Sequence, residues 1–299
     1  AIRIATARER YQEFCQSTVP EGLELDGMNV VFDGANGAGY KVGPRTLNAL
    51  GANVVTIGCS PNGRNINDGC GSTHPELLQK TVIAVEAAVG IALDGDGDRV
   101  VMVDERGGIV DGDQLLFVLA TARKAEGSLT GPVVGTVMSN LGLEHALEQQ
   151  DIAFRRAAVG DRYVLEALRE TGGTIGGETS GHVICLDKTT TGDGLVIALQ
   201  VLAVMRQSGK SLSALTAGMP RYPQTMVNVK TGERIDPHEI PAIRDAVDEA
   251  EKELAKRGRV VLRASGTEPV IRVMVEGEDE TQVLTLAKRL ASVVAEAAT

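Results

Sequence analysis

The 299-residue chain is short of positive charge, with 30 Lys and Arg against 40 Asp and Glu and a formal net charge of −10. That balance argues against nucleic acid or an anionic membrane as the principal partner. Any phosphate site must be locally basic against an acidic background. Cysteine is scarce too: Cys15, Cys59, Cys70 and Cys185 show no CxxC spacing and no dense disulfide framework. Reduced thiols in a cytoplasmic protein account for this most simply. No secretory signal is visible, and no apolar run reaches membrane-spanning length. The longest, Gly194 to Met205, is broken by Gln200 and suits a buried helix. Repeats of solenoid period and low-complexity segments are missing as well. The chain starts Ala1-Ile2-Arg3 without methionine, then enters a helical pattern with Ala7, Tyr11 and Phe14 on one face. This reads as the tail of a preceding element, although removal of the initiator methionine alone also accounts for the missing Met.

What is present is ordinary for a soluble globular protein, with 43% hydrophobic and 23% charged residues. The length suffices for two or three domains, each with its own core. The most informative stretch is Asp94-Gly95-Asp96-Gly97-Asp98-Arg99, set between the strand-like runs Val89 to Leu93 and Val100 to Val103. Carboxylates held this closely take up protons unless a cation compensates. Oxygen-only ligands suit a hard divalent ion, and Mg²⁺ typically takes few carboxylates plus water or phosphate oxygens. One Asp-Gly between strands would mean only a hairpin turn; three aspartates at alternate positions, followed by Arg99, weaken that explanation. An EF-hand is rejected, because Arg99 stands where the required glycine would be and strands flank the loop.

In chain order, a βαβα rhythm predicts a mixed or parallel sheet covered by helices. Strands are expected at 28–33 and 53–57, and helices at 40–50 and 75–88. The turn Gly34 to Gly39 lacks a P-loop lysine and the dinucleotide fingerprint, so tight strand-to-helix packing is its expected role. A second α/β unit follows, with helices at 115–125, 143–150, 161–171 and 193–207, and strands at 132–138 and 153–159. Within it Gly177-Glu178-Thr179-Ser180-Gly181-His182 lies in strand-like flanks. Glu178, Ser180 and His182 offer donors and acceptors suited to sugar hydroxyls, although the stretch reads equally well as a polar hairpin. Residues 208–224 form the expected hinge to a last domain, with strands at 225–229, 260–262 and 270–275 and helices over 243–254 and 283–297. There Arg263-Ala264-Ser265-Gly266-Thr267-Glu268-Pro269, with Arg272 beyond, can wrap a phosphate through N–H groups, hydroxyls and guanidinium forks. An exposed turn with solvated arginines is the alternative.

Taken together, these three loops resemble the α-D-phosphohexomutase superfamily. Further matches are Asp33 to Ala38, Val110 to Gln114, Val159 to Val164 and Thr189 to Gly194, so the resemblance runs essentially end to end. The wording of the sugar loop and of Arg263 to Val275 favours the glucosamine branch. The resemblance implies a fold of two α/β mixed-sheet domains followed by a smaller C-terminal α+β domain, three of the family's four. The implied boundaries are a remnant helix at 1–18, a metal-binding domain at 19–110, a sugar-binding domain at 111–218 and a phosphate-binding domain at 219–299. The implied reaction interconverts glucosamine 6-phosphate and glucosamine 1-phosphate through a phosphoserine and a bisphosphate intermediate, toward UDP-N-acetylglucosamine and cell-wall precursors. Mg²⁺ and a glucose or glucosamine 1,6-bisphosphate primer are the implied cofactors.

By the same resemblance, Asp94, Asp96 and Asp98 are metal ligands and Arg99 stands beside the reacting phosphate. Glu178 and Ser180 read sugar hydroxyls, with His182 a neighbour. Arg263, Ser265, Gly266, Thr267 and Arg272 hold the non-reacting phosphate, and Arg162 is a further substrate contact. The implied partner is a hexosamine phosphate, with neither nucleic acid nor membrane; a homodimer is one implied assembly of the full-length protein, and the oligomeric state of this chain is left open. One departure is large. The family's serine loop, of Thr-Ala-Ser-His-Asn-Pro type, has no counterpart, and no Ser-His-Asn triplet occurs from Ala1 to Thr299. The chain is therefore expected to be a fragment, inactive alone. A sibling mutase of glucose or mannose phosphates and a non-catalytic sugar-phosphate-binding module are the alternatives.

Overall fold

A computed structural model of the chain describes residues 6–232, 235–265 and 268–297. The chain divides into two compact units, one comprising the chain up to Ser139 with Ala146–Met219, the other Asn140–His145 with Pro220–Thr299. In order, the elements up to the end of the first sheet are α1 (Ala7–Ser17), β1 (Asn29–Asp33), α2 (Val42–Ala49), β2 (Asn53–Ile57), α3 (Glu76–Ala84), β3 (Val89–Leu93), β4 (Val100–Asp104) and β5 (Ile109–Val110). The next are α4 (Gly112–Glu126), β6 (Val133–Thr136), α5 (Leu141–Glu148), β7 (Phe154–Ala157), α6 (Asp161–Thr171), β8 (Ile175–Gly177), β9 (Val183–Cys185), α7 (Gly194–Ser208) and α8 (Leu212–Thr216). The last are β10 (Gln224–Lys230), α9 (Pro241–Leu254), β11 (Gly258–Ala264), β12 (Val270–Gly277) and α10 (Glu280–Ala297).

In the larger unit the first sheet runs β2-β1-β3-β4-β5. β1 pairs in parallel with β2 and β3, so α2 and α3 serve as crossovers, as parallel neighbours require. The apolar runs of β1 and β3 are buried because helices cover their sheet; Leu78 and Val82 of α3 pack on Val31, Ala92 and Val103. β4 then doubles back antiparallel on β3, with Leu93 opposite Val100, so residues 94–99 form the connection at the C-terminal end of β3. The second sheet runs β7-β6-β8-β9, parallel except for the β8–β9 hairpin. Val164, Ala167 and Leu168 of α6 pack on Val134 and Ile184. α4 opens on a reciprocal cap between Asp111 and Gln114, which is why it starts three residues before the expected Leu115. α7 is buried almost all round, and its Gln200 is satisfied by donating to the carbonyl and hydroxyl of Thr18.

The smaller unit is an antiparallel sheet, β10-β12-β11, with α9 and α10 against it. Val283, Leu286, Ala287, Leu290 and Val294 give α10 the i, i+3, i+4 stripe that buries against β12. Glu276 lies fully buried on β12. Its carboxylate accepts from Arg259 Nε at 2.7 Å and Gln224 Nε2 at 2.7 Å, its two cross-strand neighbours, and from the Leu141 N–H at 2.8 Å.

Several expectations need correction. α1 buries Cys15, while Ala7 and Phe14 are exposed, so its inward face is rotated from the Ala7–Tyr11–Phe14 stripe. The helix expected to run to Ala88 stops at Ala84, since Glu86 takes a positive φ of 51° and Ala88 already donates to Asn29 in the sheet. The expected 208–224 hinge is not all loop. Ser211 caps α8, whose Leu212 and Thr216 are buried. The four cysteines, by contrast, are free thiols as expected. Among the described residues no helix is long and apolar enough to cross a membrane.

Candidate functional site

The Asp94–Arg99 loop is shaped from within by its first carboxylate. Asp94 Oδ1 accepts from the Gly97 and Arg99 N–H groups, both at 3.1 Å, which curls the loop and brings its acidic side chains round one point. Gly97 supplies the positive φ, 82°, that this curl needs. One oxygen from each of Asp94, Asp96 and Asp98 lies within 4.8 Å of the others. Burial pushes the Asp94 carboxyl up to about 6, and the charges of Asp98 and Asp96 add to the effect while the Arg99 N–H opposes it. An all-oxygen set of three converging carboxylates, in which burial holds a proton on Asp94, fits a hard divalent cation such as Mg²⁺. Arg99 stays exposed, its Nε 3.8 Å from Asp98 Oδ1.

Other segments brace the loop. Ala38 N–H donates to Gly95 C=O at 2.8 Å, and a Cβ at Gly37 would sit 2.1 Å from that oxygen, so the glycine-rich turn after β1 serves close packing. The β8–β9 hairpin docks from the other side, Val100 N–H donating to Gly181 C=O at 3.1 Å. Within the hairpin, Glu178 Oε1 accepts from the Gly160 N–H at 2.9 Å, and Glu178 Oε2 lies 3.4 Å from Ser180 Oγ. Thr179 Oγ1 donates to the buried Asp113 at 2.7 Å. The Glu178 carboxylate and the exposed Ser180 are thus oriented by their surroundings beside the aspartate loop.

His182 does not join them at the surface. It is buried, with Nδ1 3.1 Å from Asp98 Oδ2, and Nε2 finds no partner among the described residues. An ionised carboxylate only accepts, so Nδ1 is the donor. The ring packs against Gly192, where a Cβ would lie 2.4 Å from Cε1. Arg162 is exposed and stacked on its neighbour Tyr163, 4.6 Å from the ring centroid. The structure thus brings Asp94, Asp96, Asp98, Arg99, Glu178, Ser180 and His182 together within the larger unit. A cavity of about 400 Å³ opens on the loop, with Asp96, Gly97, Asp98, Tyr11, Lys41 and Asp193 among its lining residues. Tyr11 and Asp193 are parts of this site that residue types did not reveal. The available signal was the acidic residue ahead of a buried helix, since Asp193 caps α7 by accepting from Val196 N–H.

The arginine loop belongs to the smaller unit. Arg263 and Arg272 are directly opposed in the β11–β12 ladder, half-buried. Ser265 is buried, its N–H on Val270 C=O at 2.8 Å and its hydroxyl accepting from Glu268 N–H at 3.4 Å. Gly266 and Thr267 lie outside the described residues.

Residues 9–108 match the α/β/α domain II of the phosphoglucomutase/phosphomannomutase family, residues 111–222 its α/β/α domain III and residues 226–293 its C-terminal domain. The phosphoglucosamine mutase of Methylococcus capsulatus is 57% identical over 99% of this chain, which covers 66% of that protein. That of Nitrosococcus oceani is 55% identical over 99% of this chain and 65% of its own length. The chain therefore spans about two thirds of the relatives it matches. The N-acetylphosphoglucosamine mutase of Aspergillus fumigatus, solved in complex with GlcNAc-6P and magnesium, shares the fold at a TM-score of 0.79. It is 22% identical, over 99% of this chain and 67% of that one. On these grounds the chain belongs to the phosphoglucomutase/phosphomannomutase family.

Proposed function

We propose that the chain carries the metal-, sugar- and phosphate-binding parts of a phosphohexomutase that interconverts glucosamine 6-phosphate and glucosamine 1-phosphate. The observation that carries this reading is the docking of the Glu178–Ser180 loop against the aspartate loop through Val100 and Gly181. Hydroxyl-reading groups beside a hard-cation site suit a sugar phosphate. The names of relatives at 54–57% identity favour the hexosamine over glucose or mannose phosphates.

In this proposal Asp94, Asp96 and Asp98 would hold Mg²⁺, which supplies electrostatic stabilisation to a transferring phosphoryl group. Arg99, exposed at the end of the loop, reaches the reacting phosphate. Glu178 accepts from sugar hydroxyls, held in place by the Gly160 amide, and Ser180 supplies the adjoining hydroxyl. Arg263, Ser265 and Arg272, with Gly266 and Thr267, hold the other phosphate. Like charges directly opposed in a ladder destabilise it, so an anion would relieve the Arg263–Arg272 pair. A 1,6-bisphosphate primer fits a site that must accept a phosphate at either end of the sugar.

A coupled assay with glucosamine 6-phosphate, Mg²⁺ and glucose 1,6-bisphosphate tests this. The 299-residue chain should bind the substrate and turn over at least about tenfold slower than a full-length relative, since positioning of the phosphoryl donor supplies much of the rate. The contact of Ser180 with Glu178 and the burial of Ser265 support binding roles for these serines rather than that of a phosphoryl donor. Turnover at the relative's rate would sink the assignment of that role. Substrate binding that ignores Glu178→Ala and Arg263→Ala alike would sink the site.

A further inference from the structure

We infer that Tyr11 is a positioning residue for the aspartate loop, acting through Asp193; that the loop so positioned holds a metal rests on the function proposed above. Tyr11 Oη lies 2.9 Å from both carboxylate oxygens of Asp193, a residue 182 positions along the chain. Burial, with the Asp193 charge next, raises the Tyr11 pKa, so the phenol stays protonated and donates. Asp193 Oδ1 also accepts from Val196 N–H at 3.0 Å, which caps α7. The carboxylate is therefore fixed from two sides, by α1 and by the first turn of α7.

What makes this consequential is the pair of glycines on either side of Asp193. Gly194 N–H donates to Gly97 C=O at 2.9 Å, in the middle of the aspartate loop, and a Cβ there would stand 2.5 Å from Arg99 C=O. Gly192 packs on the ring of His182, whose Nδ1 meets Asp98. The segment thus touches the loop directly at Gly97 and indirectly at Asp98, and its pitch is set by the residue between. Tyr11 also walls the cavity that opens on Asp96 and Asp98. Without its hydroxyl the Asp193 carboxylate keeps only backbone donors, and both supports of the loop can shift together.

Tyr11→Phe tests this, since it deletes the hydroxyl and leaves the ring. In the 299-residue chain, hydrogen exchange at the Gly194 and Gly97 amides should quicken about tenfold while the β12 amides keep their rates. Mg²⁺ affinity, read by calorimetry, should fall about three- to tenfold. Asp193→Ala should give these changes at least as strongly, since the α7 cap goes with it, and adding Tyr11→Phe to Asp193→Ala should change nothing further, because Tyr11 acts through that carboxylate. Unchanged exchange at Gly194 in Tyr11→Phe overturns the inference, as does a uniform rise across the chain. If wild type binds no Mg²⁺ while Gly194 exchange responds, the metal reading fails and the positioning role stands.

Discussion

Asp94 is the residue through which pH should act on the site. Its carboxyl is pushed up to about 6, mainly by burial, from an ordinary value of 3.8. The folded chain therefore favours the protonated form, and the contribution of Asp94 to stability is lost as pH rises from 3.8 toward 6. A cation needs the carboxylate, so it competes with that proton. Mg²⁺ affinity should be about tenfold weaker at pH 5 than at pH 7 by titration calorimetry. A flat profile would remove Asp94 from the ligand set. Asp96→Asn should largely abolish binding at either pH, because it removes one of the three carboxylates that lie within 4.8 Å of one another. Equal affinity in that variant would place the ion elsewhere.

Among the elements, the β8–β9 hairpin depends on close backbone approach. A Cβ at Gly181 would lie 2.1 Å from Val100 C=O, and Gly181 has a φ of +92°. Gly127, at the C-terminus of α4, also has positive φ, 72°, but open space around it. Gly127→Ala should cost about 1 kcal/mol of backbone strain. Gly181→Ala should cost about 2–4 kcal/mol, because the clash adds to the strain and breaks the bond to β4. Denaturant midpoints of the two variants check this; equal losses would mean that the hairpin yields freely. In the smaller unit, Leu290→Ala empties the centre of the α10 stripe and should cost about 2–5 kcal/mol.

At the scale of the molecule, the elements were legible because short apolar runs ended at Gly, Pro or Asp, and the aspartate loop because its three carboxylates stand at alternate positions of one short stretch. Contacts between distant segments were not. His182 and Asp98 are 84 residues apart and Tyr11 and Asp193 are 182 apart, and no periodicity encodes such pairs. Glu276 looks like an outward position on a strand, yet it is buried because Arg259 and Gln224 flank it on the neighbouring strands. Nor did Pro220 and Pro223, read as hinge signals, reveal that the smaller unit takes in Asn140–His145. Asn140 accepts from Tyr222 N–H and donates to Tyr222 C=O, both at 3.0 Å, while Leu141 N–H reaches Glu276. Residues 220–299 produced alone should therefore lose about 2–5 kcal/mol, visible as an earlier urea midpoint than the same unit shows within the whole chain. The consequence reaches into how such a gene can change. A unit assembled from two separated stretches cannot be carried off intact by a single crossover. A recombination joint at residue 219 would deliver the strands and leave behind the six residues that satisfy Glu276 and Tyr222.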